Sequence, residues 1–314
     1  MQKNVRNLLV ITAVLATTII GCKKNSAPDE EKPDQQTFTE FTVQSKDQLE
    51  VSGEIDAVNN DANLVLEEYT AISGKFMGVL GTICDATIKV DSASDPRKIT
   101  ITYNGTTCMG NRKRTGAVLI TMPANKRWKD AGTAITVTYQ NLKVTRVADN
   151  KSITLNGSHT LTNVSGGLLI NLPVRSSIIH TLTSNNMNIT FDDGTQRTWQ
   201  VARQRVYTYN NGVVISITGT HAEGAKTGIA EWGSSRTGQA FTTSITQPLV
   251  IRQDCQFRLT AGQVKHEQRN TTATTTFGLN ANGAATGCPG NGLYYYKLEW
   301  AGSNNNTLTA ILPY

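Results

Sequence analysis

From residue 84 onward, apolar and polar residues alternate with the two-residue period of a β-strand. The pattern runs through ATIKV (86–90), KITITY (98–103), AVLITM (117–122), TAITVTYQNLKV (133–144) and SITLNGSHTLT (152–162). It resumes in LVIRQDCQFRL (249–259), TATTTFG (272–278), LYYYKLEW (293–300) and TLTAIL (307–312). Thr, Val, Ile and Tyr dominate these runs, and Gly, Asn and Asp gather between them, as strands and turns require. Asp193-Gly194 suits a two-residue type I′ turn that sets Phe191 opposite Gln196 and Ile189 opposite Thr198. Asn211-Gly212 does the same for Tyr209 and Val214. About a dozen strands without alternating long helices predict a mainly β fold. The pattern describes an antiparallel, hairpin-rich meander over 84–314 and leaves sandwich and barrel-like closure both open.

Residues 38–83 follow a different rule. In KDQLEVSGEIDAVNNDANLVLEEY, Leu49, Ile55, Val58, Ala62, Val65, Leu66 and Tyr69 recur at spacings near three and four with acids between them. This predicts a short helical segment of one or two amphipathic helices, interrupted at Gly53 and Gly74. The chain before it has two parts. Lys3 and Arg6 precede LLVITAVLATTII, thirteen uncharged residues that are too few for a span and fit a secretory signal. The run ends in Ile19-Ile20-Gly21-Cys22, which resembles the lipobox of bacterial lipoprotein signal peptides. That resemblance implies removal of residues 1–21, lipidation of Cys22 and an outer-membrane address, since Lys23 rather than Asp follows the cysteine. Residues 22–37 then read as the lipidated cysteine and a flexible tether rich in Lys, Asp, Glu, Pro and Gln.

Charge separates the same two regions. Residues 22–70 carry 4 basic and 12 acidic side chains; residues 71–314 carry 24 and 12. Two accounts fit a basic body outside the cytoplasm. Either it attracts acidic glycans or lipid head groups, or the acidic N-terminal segment docks back onto it. A lipid-anchored envelope protein leaves no role for nucleic acid.

Four cysteines remain after Cys22, and an even number in an exported chain implies disulfides. The midpoint of Cys84 and Cys108 is the breaker stretch Ser92–Pro96, so the two should face each other at the open end of a hairpin. Cys255 and Cys288 flank a second hairpin turning near Arg269-Asn270-Thr271. The predicted pairs are Cys84–Cys108 and Cys255–Cys288. No CxxC spacing occurs and the four histidines are scattered, so no metal site or cofactor is expected.

The ordered series TITYNGTTC, RTGAVLITM, GTAITVTYQNLKV, LNGSHTLTNV, TFDDGTQRTW, ISITGTHAEG, RTGQAFTTSITQPLV and DCQFRLTAGQVK resembles a family of uncharacterised lipoproteins from Bacteroidota, over roughly 84–300. The resemblance implies placement and architecture, with no activity to carry over. Members often bear an acidic glycine turn near the last cysteine. The matching FGLNANGAATGC has no acids, so the resemblance brings no cation site.

Catalytic signatures are lacking: no GxSxG, HExxH, P-loop or dinucleotide fingerprint occurs. Asp192 and Asp193 have a turn to explain them, and no spacing selects among Glu223, Glu231 and Glu299 as glycosidase carboxylates. The candidate ligand surface comprises the basic run Arg112-Lys113-Arg114 with Tyr295 and Lys297. In LYYYKLEW the last two share one face, while Tyr294, Tyr296, Leu298 and Trp300 share the other. Asp91-Ser92-Ala93 resembles the short O-glycosylation motif of Bacteroidota exported proteins, which makes Ser92 a candidate modification site. The sequence therefore points to a non-catalytic outer-membrane lipoprotein that binds an acidic glycan, lipid or protein partner. A lipid-anchored enzyme acting on polysaccharide and a structural accessory subunit of an envelope complex are the alternatives.

Overall fold

A computed structural model of the chain describes residues 33–68, 83–269, 271–288, 292–301 and 307–314. The described residues hold one α-helix and fifteen strands. Helix α1 spans Pro33–Glu68. The strands are β1 (Ala86–Asp91), β2 (Arg97–Thr106), β3 (Arg112–Met122), β4 (Thr133–Arg146), β5 (Ser152–Asn163), β6 (Ile178–Phe191), β7 (Gln196–Tyr209) and β8 (Val213–Gly219). They continue as β9 (His221–Glu223), β10 (Lys226–Ser234), β11 (Ala240–Arg252), β12 (Arg258–Gln268), β13 (Thr271–Leu279), β14 (Tyr295–Ala301) and β15 (Thr307–Pro313).

All fifteen strands belong to one sheet in which neighbours in sequence are neighbours in space, apart from one position. Between β7 and β11, β10 and β8 lie end to end. β10 takes Thr198–Val201 of β7, and β8 takes Arg203–Tyr209. Every ladder is antiparallel, and β1 and β15 stand at the two ends of the path. The fold is therefore the mainly β meander of the sequence pattern, in the form of one curled sheet.

The curl follows from bulges. Registers shift at Thr115/Ala117 between β3 and β4, at Tyr139/Leu142 between β4 and β5, at Asn156/Thr160 between β5 and β6, and at Ser184/Met187 between β6 and β7. An extra residue bends and twists a strand, so bulges on successive ladders fold the sheet across its width. At the first of them Gly116 sits at φ +109°, and a Cβ there would lie 2.3 Å from the Asn141 carbonyl oxygen. Only glycine permits that approach.

Both Gly turns occur, each one residue longer than predicted. Phe191 N–H donates to Thr195 O, and Gly194 takes φ +81°, so the loop has three residues and the ladder pairs Thr190 with Gln196 and Ile189 with Arg197. The Asp193 carboxylate accepts from the Thr195 N–H and hydroxyl and stabilises this longer loop. At the second turn Tyr209 pairs with Val213. Val213 N–H is taken by the Gln253 side chain. A one-residue slip exchanges the faces of a strand. It decides here that Arg197, Trp199, Arg203, Arg205 and Tyr207 of β7 all point inward and are buried.

The concave face holds helix α1. Its side chains meet Tyr103 on β2, Arg114 on β3, His159 on β5, Arg205 on β7, His266 on β12 and Trp300 on β14. Phe41, Val51, Ile55, Val58, Val65 and Leu66 are at most 2% exposed. The helix starts at Pro33, inside the stretch expected to be tether, and passes through Gly53 without a break. Proline is well suited to a first helical turn. A mid-helix glycine costs about 1 kcal/mol, whereas each buried large apolar side chain contributes about 1.5–3 kcal/mol, so packing overrides the glycine. Gly74 and Tyr69 lie outside the described residues.

Candidate binding cleft

The docking of α1 is electrostatic as well as apolar. Residues 33–68 contain nine carboxylates and one lysine. The strands facing them supply guanidinium groups. Asp47 receives a two-pronged bond from Arg236, at 2.6 and 2.7 Å. Glu54 pairs with Arg112 at 2.7 Å, Asp56 bonds Arg205, with Arg203 at 3.9 Å, and Asp61 takes Arg114 at 2.8 Å. Ser52 donates to Glu231 of β10, which also pairs with Arg203. The acidic segment does dock on the basic body, as the second account expects.

Arg114 anchors a second buried cluster. Its Nε and Nη2 both reach Asp85 at 2.7 Å, Nη1 reaches Asp61, and its guanidinium lies 4.3 Å from the Tyr103 ring centre. Burial pushes the Asp61 carboxyl up, against the pull of Arg114 and the Tyr103 hydroxyl. Burial acts likewise on Asp47, against Arg236. At the helix C-terminus Glu67 accepts from the N–H groups of Leu169 and Ile170 at 2.6 and 3.2 Å, yet burial raises it to about 7. Three buried histidines line the interior. His159 bonds Asn59 and His266 bonds Thr243, while His180 lies between Trp128 and Tyr207. Burial, with a nearby arginine, lowers all three to about 3, so they are neutral.

Along one side of the helix the sheet stands off and leaves a cleft of about 1030 Å³. Its floor is the helical face Val43, Lys46, Glu50, Gly53, Ala57 and Asn60, spaced by threes and fours. One wall is apolar, with Ile217 of β8, Ile245 and Ile251 of β11, Val264 of β12 and Phe277 of β13. The other is charged, with Arg112 of β3, Arg146 of β4 and Lys151 beyond the β4–β5 turn. Basic lining residues outnumber acidic ones eight to four. Lys46 and Lys151 are exposed and have no carboxylate partner among the described residues. The Tyr296 hydroxyl and the His266 Nε2 are buried without a hydrogen-bond partner among the described residues.

The residues singled out from sequence are distributed differently. Both disulfides are present, with Cα atoms 5.2 Å apart for Cys84–Cys108 and 5.0 Å for Cys255–Cys288. The basic run is split by strand alternation. Arg112 and Arg114 point inward and are held by Glu54, Asp61 and Asp85, and only Lys113 faces solvent. Tyr295 and Lys297 do share the outer face of β14, where Lys297 pairs with Glu299 at 3.0 Å; Tyr296, Leu298 and Trp300 face inward. The five residues therefore form no common surface. Ser92 is exposed at the β1–β2 turn, and the Asp91 carboxylate accepts there from the N–H groups of Ala93 and Ser94. Cys22 lies outside the described residues. Glu231 is fully buried, while Glu223 on β9 and Glu299 on β14 are exposed on other strands.

What sequence reasoning missed is the inward row on β7. In Arg197-Thr-Trp-Gln-Val-Ala-Arg-Gln-Arg-Val-Tyr the arginines alternate in phase with Trp199, Val201 and Tyr207. A cation in phase with a core tryptophan is the signal of a buried counter-charge. No family model matches the chain, and no curated protein or solved structure shows significant similarity to it.

Proposed function

We propose that the protein is a non-catalytic, lipid-anchored outer-membrane lipoprotein, fixed by Cys22, that binds an anionic partner in the cleft beside α1. The observation that carries this reading is the surplus of cations left in the cleft after the helix has taken its share. Exposed lysines without counter-ions raise the local concentration of anions. The polysaccharide-enzyme alternative has less support, because the cleft carboxylates Asp47, Glu50, Asp56 and Asp149 each sit against an arginine. An accessory-subunit role draws little from the β1 edge, which presents Thr87, Lys89 and Asp91 outward. Charged, short edges discourage strand addition.

The test is titration calorimetry of the mature chain against polygalacturonate and phosphatidylglycerol vesicles, with dextran and phosphatidylcholine vesicles as neutral controls. Binding confined to the anionic pair and weakened by salt supports the reading. Equal heats for charged and neutral ligands, or none, reject it. Incorporation of an alkynyl fatty acid, lost in Cys22→Ser, checks the anchor.

A further inference from the structure

Gly53 is the least expected residue of helix α1. It lies mid-helix, exposed on the cleft floor, and a Cβ built on it would meet nothing within 4 Å. Close packing therefore does not require a glycine here, although glycine weakens a helix interior. Its effect is to leave the floor bare midway between Lys46 and Asn60, opposite the apolar wall. The lining is mixed in kind: apolar side chains from β8 and β11–β13 stand beside eight cations, of which Lys46 and Lys151 are exposed without a carboxylate partner among the described residues. A wholly polar ligand would leave the aliphatic wall unused, and a neutral lipid would leave the lysines unused.

We propose that the cleft holds a single-chain anionic amphiphile, with its acyl chain along the wall of Ile217, Ile245, Ile251 and Val264 and its carboxylate or phosphate at Lys46 and Lys151. The inference rests on the anionic-partner reading and narrows it to one ligand class. Drug-sized ligands occupy pockets of about 300–1,000 Å³, so a cleft of about 1030 Å³ has room for a long chain. The Tyr296 hydroxyl and the His266 Nε2, both without a partner among the described residues, belong to residues that line the cleft. They supply polar contacts for a ligand that reaches them.

The test uses residues 22–314 with Cys22→Ser and the fluorescent fatty acid cis-parinarate, displaced in turn by palmitate, by lysophosphatidate and by hexadecanol. The expected result is saturable 1:1 binding, with either anionic competitor at least tenfold more effective than the alcohol. The stronger of the two identifies the head group as carboxylate or phosphate. Gly53→Trp should abolish parinarate binding without lowering the melting temperature, because it fills the cleft and replaces a helix-weakening residue. Lys46→Glu with Lys151→Glu, both exposed, should weaken the anionic competitors about tenfold and leave hexadecanol unchanged. Absence of a saturable signal, or unaltered affinity in both variants, overturns the proposal. If polygalacturonate still binds in a manner sensitive to the two lysine changes, the broader anionic-partner reading stands alone. If it does not, both fall.

Discussion

Arg114→Met removes the guanidinium that neutralises two carboxylates. The Asp85 side chain is fully buried and that of Asp61 is 14% exposed, so water can replace little of the lost interaction. Breaking a buried pair by deleting one partner costs about 3–5 kcal/mol, because the remaining charge stays desolvated. With a urea dependence near the top of the range of about 1–3 kcal/mol/M, the unfolding midpoint falls by roughly 1–2 M. Far-UV circular dichroism during a urea titration measures this directly. Lys113→Met is the control, one residue away on the solvent face, and its effect should stay within about 0.5 kcal/mol. Adding Asp61→Asn and Asp85→Asn to Arg114→Met removes the stranded charges and should recover part of the loss. If Arg114→Met and Lys113→Met shift the midpoint equally and by little, the cluster behaves as an exposed pair and the argument for a buried electrostatic seat fails.

Three further outcomes follow from named groups. Glu67 titrates near 7 in the folded chain against 4.5 as a free side chain. Its stabilisation is therefore complete below about 4.5 and lost as pH rises through 7. The stability of the wild type relative to Glu67→Gln should drop by about 3 kcal/mol between pH 4.5 and 8. A pH-independent difference would contradict the burial of Glu67. His159 behaves in the opposite sense. With its folded value near 3 and its free value at 6.5, stability is complete above 6.5 and falls as pH drops from there toward 3. In guanidinium unfolding between pH 7 and 4.5, His159→Gln should decline less steeply than the wild type, and parallel curves would refute the assignment. Replacing Cys84 and Cys108 by serine opens a loop of sequence separation 24. Calorimetric melting should show a loss of about 3.5 kcal/mol in the chain-entropy description; no change would mean that the hairpin is held by its ladder alone.

How much of this was legible in the sequence depends on the range of the interactions. The strands, the antiparallel class and both cysteine pairs follow from local period and hairpin symmetry. Register did not, because the Asp193 carboxylate reaches past the dipeptide to the N–H and hydroxyl of Thr195 and stabilises a three-residue loop over a two-residue one. The helix was legible at Ile55, Val58, Ala62, Val65 and Leu66 but was expected to break at Gly53, since local propensity carries no information about the sheet that encloses it. Arg112 and Arg114 look in the sequence like part of a ligand surface because their partners, Glu54 and Asp61, lie more than fifty residues away. The cleft was not legible at all, because its walls come from strands scattered between β3 and β13.

The enclosure of α1 also ties the two ends of the chain to one another in time. Residues 33–68 precede every strand in order of synthesis, yet Phe38 packs edge-on against Trp300 of β14. The N-terminal part of the helix therefore waits for the last tenth of the polypeptide before its apolar surface is covered. Contacts this distant in sequence make for slow folding. A chain released before β14 would leave the Phe38 end of the helix uncovered, a state open to proteases. The final strands thus act as a completion check on the whole molecule.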